Sequence, residues 1–294
     1  MRALKWAGME FDGEHGPGTA PAVQSRRTGI YQDHAAVLLS KGGAYHCFCP
    51  PSRLESLRES QRRTGRPTTY DGLCRGLSKD QVEDRLGRGD AHTIRLKVPR
   101  GFGSAGKGGG AKTIVNDLVA GQVTFDHSVI DDQILMKSDG LPTYHLASVV
   151  DDHLQGITHV IRGVEWLPST PKHALLYKYF GWTAPAFAHL PLLLNTDGSK
   201  LSKRDGNASM GAYMDGRYLP AAVMNFVALL GWHPGSGATK EVFGLGELEE
   251  AFSIERVNKS GAVVDTGRMR WINQQHMARA VQQPGDNPTA PEEM

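Results

Sequence analysis

The chain has 294 residues, and its 33 Lys and Arg against 31 Asp and Glu leave a formal charge of only +2, which excludes both a polybasic tail and an acidic disordered protein. With 39% hydrophobic and 22% charged residues, it has the composition of a globular protein long enough for one large domain or two ordinary ones. No apolar run approaches the ~20 residues that span a bilayer, and 3 cysteines are too few for a disulfide scaffold.

Met1 to Gly8 lacks the apolar block and cleavage site of a signal peptide and reads as the end of an amphipathic helix. After a Gly/Pro-rich loop at Gly13 to Gly18, Ile30, Tyr31, Ala35, Val37, Leu38 and Leu39 recur at helical spacing, which predicts a helix from Thr28 to Gly42. Tyr45 to Cys49 is short and aromatic, and Ser52 is placed to cap a charged helix through Leu54, Leu57 and Arg58. Ile94 to Val98 alternates apolar and polar residues and predicts a half-buried strand, as do Val123 to Phe125 and Ile134 to Met136. From Asp139 onwards helical and extended segments alternate: Tyr144 to Leu154 helical, Thr158 to Ile161 a strand, Pro171 to Phe180 helical, Phe187 to Leu194 extended. That alternation predicts βαβ units and a parallel sheet. Pro220 to Leu230 reads as a helix stopped by Gly231, and Ala278 to Met294, without aromatic residues or periodicity, as a disordered tail.

Four groups of residues carry chemistry. Gly106 to Thr113 differs from a Walker A loop by Ala111, but no buried strand can precede it, so it reads as a flexible surface insertion. Gly198 to Gly206 holds Lys200, Ser202, Lys203 and Arg204 in a turn-prone stretch. It suits either a mobile clamp for polyphosphate or a solvated basic turn. Tyr144 and Ser148 share one helix face, and Arg162 ends a strand where open α/β sheets bind ligands, either to hold a carboxylate or to pair with a nearby Asp. Cys47, Cys49 and Cys74, with Tyr70 or His46 as a fourth donor, make a zinc site or simply buried thiols.

Together these blocks resemble glutamyl-tRNA synthetase of the bacterial and organellar type, a class I aminoacyl-tRNA synthetase, from Leu4 to about Met277. Val129 to His173 is similar to that family's second Rossmann half, Lys200 to Arg204 to its KMSKS signature, and Phe252 to Ser260 with Arg270 to Asn273 to its stem-contact region. The resemblance implies an α/β fold: an incomplete Rossmann-type catalytic domain, an inserted α+β acceptor-binding domain and a helical stem-contact region. The implied divisions are 1–44 (remnant of the first Rossmann half), 45–116 (insertion), 117–197 (second half), 198–277 (KMSKS loop and stem contact) and 278–294 (tail).

It further implies that Tyr144, His145, Leu146, Ala147, Ser148 and Arg162 bind glutamate. Glu165 and Trp166, with Lys200, Leu201, Ser202, Lys203 and Arg204, would bind ATP, and Lys200, Lys203 and Arg204 would act in catalysis. ATP enters with Mg2+, and Cys47, Cys49, Tyr70 and Cys74 resemble a zinc site of some relatives. Expected partners are L-glutamate, ATP and tRNA(Glu), with tRNA(Gln) left open as a second tRNA, and no membrane, for a monomer. The expected compartment is the mitochondrial matrix, with a bacterial-type cytoplasm as the alternative.

Departures from the family pattern set further expectations. The first strand and the His-Ile-Gly-His helix are absent, as is an anticodon domain. Ser148 stands for the usual Asn and Val164 for the usual Glu. The chain is therefore expected to be a partial form with impaired activity, or else a non-catalytic tRNA-binding or regulatory fragment. A ligase that charges a modified tRNA base should instead keep the His-Ile-Gly-His signature and lack the residues from Phe252 onwards.

Overall fold

The computed structural model describes residues 2–9, 23–100, 110–201, 210–235 and 239–282. In chain order its helices are α1 (Arg2–Trp6), α2 (Thr28–Ser40), α3 (Pro51–Arg63), α4 (Lys79–Gly87), α5 (Tyr144–Leu154), α6 (Thr170–Phe180), α7 (Met210–Asp215), α8 (Pro220–Ala228), α9 (Leu245–Ala251) and α10 (Thr266–Gln282). The strands are β1 (Ala44–Cys47), β2 (Thr93–Leu96), β3 (Lys112–Asp117), β4 (Gly121–Asp126), β5 (Ile134–Met136), β6 (His159–Gly163), β7 (Ala186–Leu190), β8 (Leu193–Leu194) and β9 (Ala262–Val263).

Two sheets interleave in the sequence. One has the order β1-β2-β5 and is antiparallel; the other has the order β4-β3-β7-β6, with a β3–β4 hairpin and parallel β3–β7 and β7–β6 pairs. The alternation after Asp139 thus becomes the expected βαβ unit of strand β6, helix α6 and parallel strand β7. Strand β6 ends the sheet with one neighbour among the described residues, and its Ile161 is 56% exposed. The sheets also cross the expected divisions: a boundary at 116/117 falls inside β3, and β5 returns to the sheet of β1 and β2.

The main core lies between the sheets and helices α2, α5 and α6, where Tyr31, Leu38, Leu96, Leu135, Leu146, Val149, Val150 and Leu176 are buried. On α5 the i, i+3, i+4 spacing of Leu146, Val149 and Val150 turns one face inward, and burying each such side chain contributes ~1.5–3 kcal/mol. Helix α6 begins with Pro171 in its first turn and is stopped by Gly181, whose φ of 79° only glycine adopts readily and whose N–H bonds Tyr177 O at 3.0 Å. A second core joins α8 to α10 through Val223, Phe226, Met269 and Ile272, and Trp6 of α1 packs against it.

Buried aspartates tie these pieces together. Asp151 on α5 accepts from Arg27 Nε (3.0 Å), Tyr31 OH (2.8 Å) and Gln24 Nε2 (2.9 Å). Asp132 accepts from Tyr45 OH (2.9 Å), Arg75 Nη1 (2.6 Å) and the Val98 amide (3.1 Å), which locks β1, the Leu73–Gly76 turn and the end of β2 together.

Two expectations change, and the rejection of a P-loop stands. Ser52 does not cap α3: Pro50 holds the cap position and Pro51 the first turn, where the missing N–H costs nothing. Ala278 to Gln282 is not tail but the last turn of α10; residues 283–294 lie outside the described part. Lys112 and Thr113 begin β3 instead of opening a helix, so the Walker-like segment, of which residues 101–109 lie outside the described part, has the wrong context for a P-loop.

Candidate active site

Arg162 is the fourth residue of β6 and sits at the C-terminal edge of the parallel strands. Three neutral groups receive its hydrogens: Nε donates to His189 Nε2 at 3.0 Å, Nη2 to Thr170 Oγ1 at 2.9 Å and Nη1 to His173 Nδ1 at 3.3 Å. His189 comes from β7, and Thr170 and His173 from the first turn of α6, so one βαβ unit supplies the whole ring of acceptors. Among the described residues, Arg162 forms no ion pair within 4.0 Å, so the alternative of pairing with a nearby Asp is not realised.

Behind it, His189 Nδ1 donates to Asp117 Oδ2 at 2.5 Å, with both side chains fully buried. Burial alone would raise the Asp117 carboxyl, but hydrogen bonds from His189 and from the Ala120, His189 and Val119 amides hold it below the usual carboxylate range. In front lies an aromatic group. Tyr144 stands 4.6 Å from the ring of Trp166, and His145 Nδ1 is 3.0 Å from His173 Nε2. Burial, then the charges of Lys172 and Arg162, push His145 down to about 4, and the same effects hold His173 well below its ordinary value.

Helices α5 and α6 each carry a hydroxyl without a hydrogen-bond partner among the described residues. The Ser148 hydroxyl and the Tyr177 hydroxyl are both buried and unpaired. Burial and the Asp151 charge push the Asp152 carboxyl up to about 6 against the opposing pull of Arg162. Buried polar groups left without a protein partner call for a water or a polar ligand to complete them.

Arg162 also borders an apolar cleft of about 630 Å³ with Glu165, Leu193, Lys200, Trp232 and Phe252. A tight turn delivers Lys200 there: Gly198 takes φ of 82°, Asn195 N bonds Ser199 O at 2.8 Å, and Leu194 and Lys200 face each other across the turn. Leu201 packs on the second core, while Ser202, Lys203 and Arg204 lie outside the described residues.

The structure therefore brings Tyr144, His145, Arg162 and Trp166 together, places Ser148 one helical turn after Tyr144 on α5, and sets Glu165 and Lys200 along the adjoining cleft. Leu146 and Ala147 depart from the expected set: at 0% and 2% exposure their side chains belong to the main core, as their place on the inward face of α5 dictates. Sequence reasoning missed Asp117, Thr170, His173, Tyr177 and His189. His189 carried the one available signal, a histidine in the middle of the otherwise apolar stretch from Phe187 to Leu194.

The cysteines form a separate centre. The Cys47, Cys49 and Cys74 sulfurs all lie within 4.8 Å of one another, with Cys49 and Cys74 at 3.6 Å, and Tyr70 OH is 3.4 Å from both Cys47 and Cys49. Tetrahedral zinc with ~2.3 Å bonds to sulfur needs donors ~3.5–4 Å apart, a spacing that the Cys49–Cys74 pair meets and that the third thiol, within 4.8 Å of both, approaches. His46, the other candidate, packs against His92 at 4.9 Å instead, because alternate residues of β1 face opposite ways.

The sequence matches the family of tRNA synthetases class I (E and Q), catalytic domain, over residues 1–271. The chain belongs to that family. Among curated proteins it is 45% identical over 290 residues to a glutamate-tRNA ligase of Alkaliphilus metalliredigens, covering 94% of this chain and 56% of the relative. It is 47% identical over 279 residues to one from Fusobacterium nucleatum, covering 94% of this chain and 52% of the relative. A crystal structure of a glutamate tRNA ligase from Elizabethkingia meningosepticum, in complex with its amino acid, superimposes with a TM-score of 0.84 at 34% identity, over 99% of this chain and 64% of that one. The class I synthetase fold is thus shown, and the chain spans about half the length of the curated relatives it matches.

Proposed function

We propose that this chain carries the glutamate-activating centre of a glutamate-tRNA ligase, with Arg162 as the receptor of a glutamate carboxylate. The observation that supports this is a guanidinium fixed by three neutral acceptors, without an ion-pair partner among the described residues. A charge so placed is completed by a ligand anion, and the bidentate geometry of arginine suits a carboxylate. Tyr144, Ser148 and His145 supply polar groups beside it, and Trp166 with Glu165 flanks the cleft proposed for ATP and its Mg2+.

Two transfers then follow. A glutamate carboxylate oxygen attacks the α-phosphorus of ATP, and the bond to pyrophosphate breaks. A ribose hydroxyl of tRNA(Glu) next attacks the carbonyl of the adenylate, loses its proton, and AMP leaves. Neither step needs a protein nucleophile, so this chain's residues act by positioning and charge stabilisation. Lys200 lies on the cleft wall to meet the charge of the departing pyrophosphate, and Lys203 and Arg204 would extend that clamp. The exposed Arg58, Arg62, Arg63 and Arg66 on and after α3 offer phosphate contacts for tRNA, including tRNA(Gln) if the chain accepts it.

Cys47, Cys49, Cys74 and Tyr70 would hold zinc, which would supply a structural cross-link between the start of α3 and the Leu73–Gly76 turn. The relatives reported above are bacterial, which supports a bacterial-type cytoplasmic enzyme; nothing among them supports the mitochondrial expectation.

Exchange of labelled pyrophosphate into ATP tests the reading. The expected result is exchange that requires L-glutamate and falls by about a hundredfold or more in Arg162→Ala. Exchange indifferent to glutamate, or to Arg162, would overturn it.

A further inference from the structure

Arginine can only donate hydrogen bonds, so every ring nitrogen facing Arg162 must present a lone pair. That rule assigns the protons of three histidines. His189 Nε2 faces Arg162 Nε at 3.0 Å, so the hydrogen of His189 sits on Nδ1, where it meets Asp117 Oδ2 at 2.5 Å. On the other side, His173 Nδ1 faces Arg162 Nη1 at 3.3 Å, which puts the His173 hydrogen on Nε2. That nitrogen faces His145 Nδ1 at 3.0 Å, so His145 accepts there and keeps its own hydrogen on Nε2. Only one arrangement of protons satisfies all four contacts.

We propose that His189, oriented by Asp117, is the positioning residue of Arg162, and that the resulting tautomers of His173 and His145 fix which donors the glutamate site presents. This rests on the reading of Arg162 as the carboxylate receptor. Asp117 cannot turn, because its Oδ1 accepts the amides of Val119 (3.0 Å), Ala120 (2.8 Å) and His189 (3.2 Å). The orientation of the hairpin thus reaches the guanidinium through one imidazole. His189 and Thr170 occupy the edge formed by Nε and Nη2, and His173 one hydrogen of Nη1. Two of the five guanidinium hydrogens are left for a ligand, the Trp166 carbonyl being a distant acceptor at 3.5 Å. A proton added to His173 or His145 would set two N–H groups against each other, and burial together with the Arg162 charge opposes such a proton on both rings.

Asp117→Asn separates this role from packing. The three backbone amides keep the Asn oxygen at the Oδ1 position, so its NH2 group replaces Oδ2 and donates to His189 Nδ1. The His189 hydrogen must then move to Nε2, against Arg162 Nε–H. Long-range 1H–15N correlation spectra of the ring nitrogens, with calorimetric titration of L-glutamate, read both ends on the purified chain. In the native chain the spectra should show hydrogen on Nδ1 of His189 and on Nε2 of His173 and His145. In Asp117→Asn the His189 hydrogen should shift, and glutamate binding should weaken about tenfold or more at a nearly unchanged melting temperature. His189→Gln, which keeps an acceptor near the Nε2 position, should bind glutamate better than His189→Leu.

A native spectrum with hydrogen on His189 Nε2 would overturn the proposal. So would Asp117→Asn or His189→Leu binding glutamate within twofold of the native chain. A native chain that binds no glutamate would sink the functional reading instead, and the ring spectra would then decide the relay on their own.

Discussion

Arg162 and the cysteine cluster are both concentrations of polar atoms inside the fold, but they are satisfied in opposite ways. Around Arg162, acceptors from β7 and α6 are already aimed at the guanidinium, and Asp117 fixes the one that matters most. Around Cys49, the partners are two of the other donors, Cys74 at 3.6 Å and Tyr70 at 3.4 Å, together with Arg53 Nη1, which donates to the sulfur at 3.5 Å, and burial pushes the Cys49 thiol up to about 11. Thiols are weak hydrogen-bonding groups, so this second arrangement gains little until a cation replaces their protons. The difference separates a site organised before its ligand arrives from one organised by its ligand.

Metal removal exploits that difference most strongly. If zinc holds the Cys47, Cys49, Cys74 and Tyr70 centre at about a thousand times its dissociation constant, it adds ~4 kcal/mol of stability. At ~2–4 °C per kcal/mol, chelation should lower the melting temperature by roughly 8–16 °C, and Cys74→Ser should do the same without chelator. Elemental analysis should find one zinc per chain. Metal-free protein with an unchanged melting curve would refute the assignment. Arg162 and its acceptors supply none of the proposed zinc donors, so binding of L-glutamate alone should not respond to chelator.

The arginine site has its own, smaller handle in pH. The Asp152 carboxyl is pushed up to about 6, above the ~3.9 of an unfolded aspartate. Below pH ~4 both states hold the proton. Between about 4 and 6 the unfolded chain releases it while the folded chain keeps it, so stability falls as pH rises, and the full penalty persists above 6. Asp152→Asn should therefore raise the melting temperature by a few degrees at pH 7.5 and hardly at all at pH 3.5. An equal gain at both values would show that Asp152 acts through packing.

The same contrast explains what could be read from sequence. The local signals were strong: helix α5 spans Tyr144 to Leu154 as predicted, because three apolar residues at helical spacing define its buried face, and β6, α6 and β7 follow the expected alternation. The cysteine centre was legible as a set, since residue type alone suggests metal, and the backbone then chose Tyr70 over His46. The arginine network was not, because Asp117 and His189 are 72 residues apart and meet only through the β3–β7 pairing. Leu146 and Ala147 show the reverse: they lie in the block expected to bind glutamate, but helical geometry turns their side chains into the core. The helix through Gln282 was missed because α10 is anchored by Met269, Ile272 and His276, so its exposed last turn carries no apolar signal of its own.

On the reading proposed above, Arg162 waits, already oriented, for a carboxylate. Calorimetric titration of L-glutamate into the native chain and into Arg162→Gln tests it most directly. The account predicts measurable binding by the native chain and a loss of about a hundredfold or more in the variant, since a charge-assisted bidentate contact and the counter-charge vanish together. Equal affinity in the two proteins would contradict it.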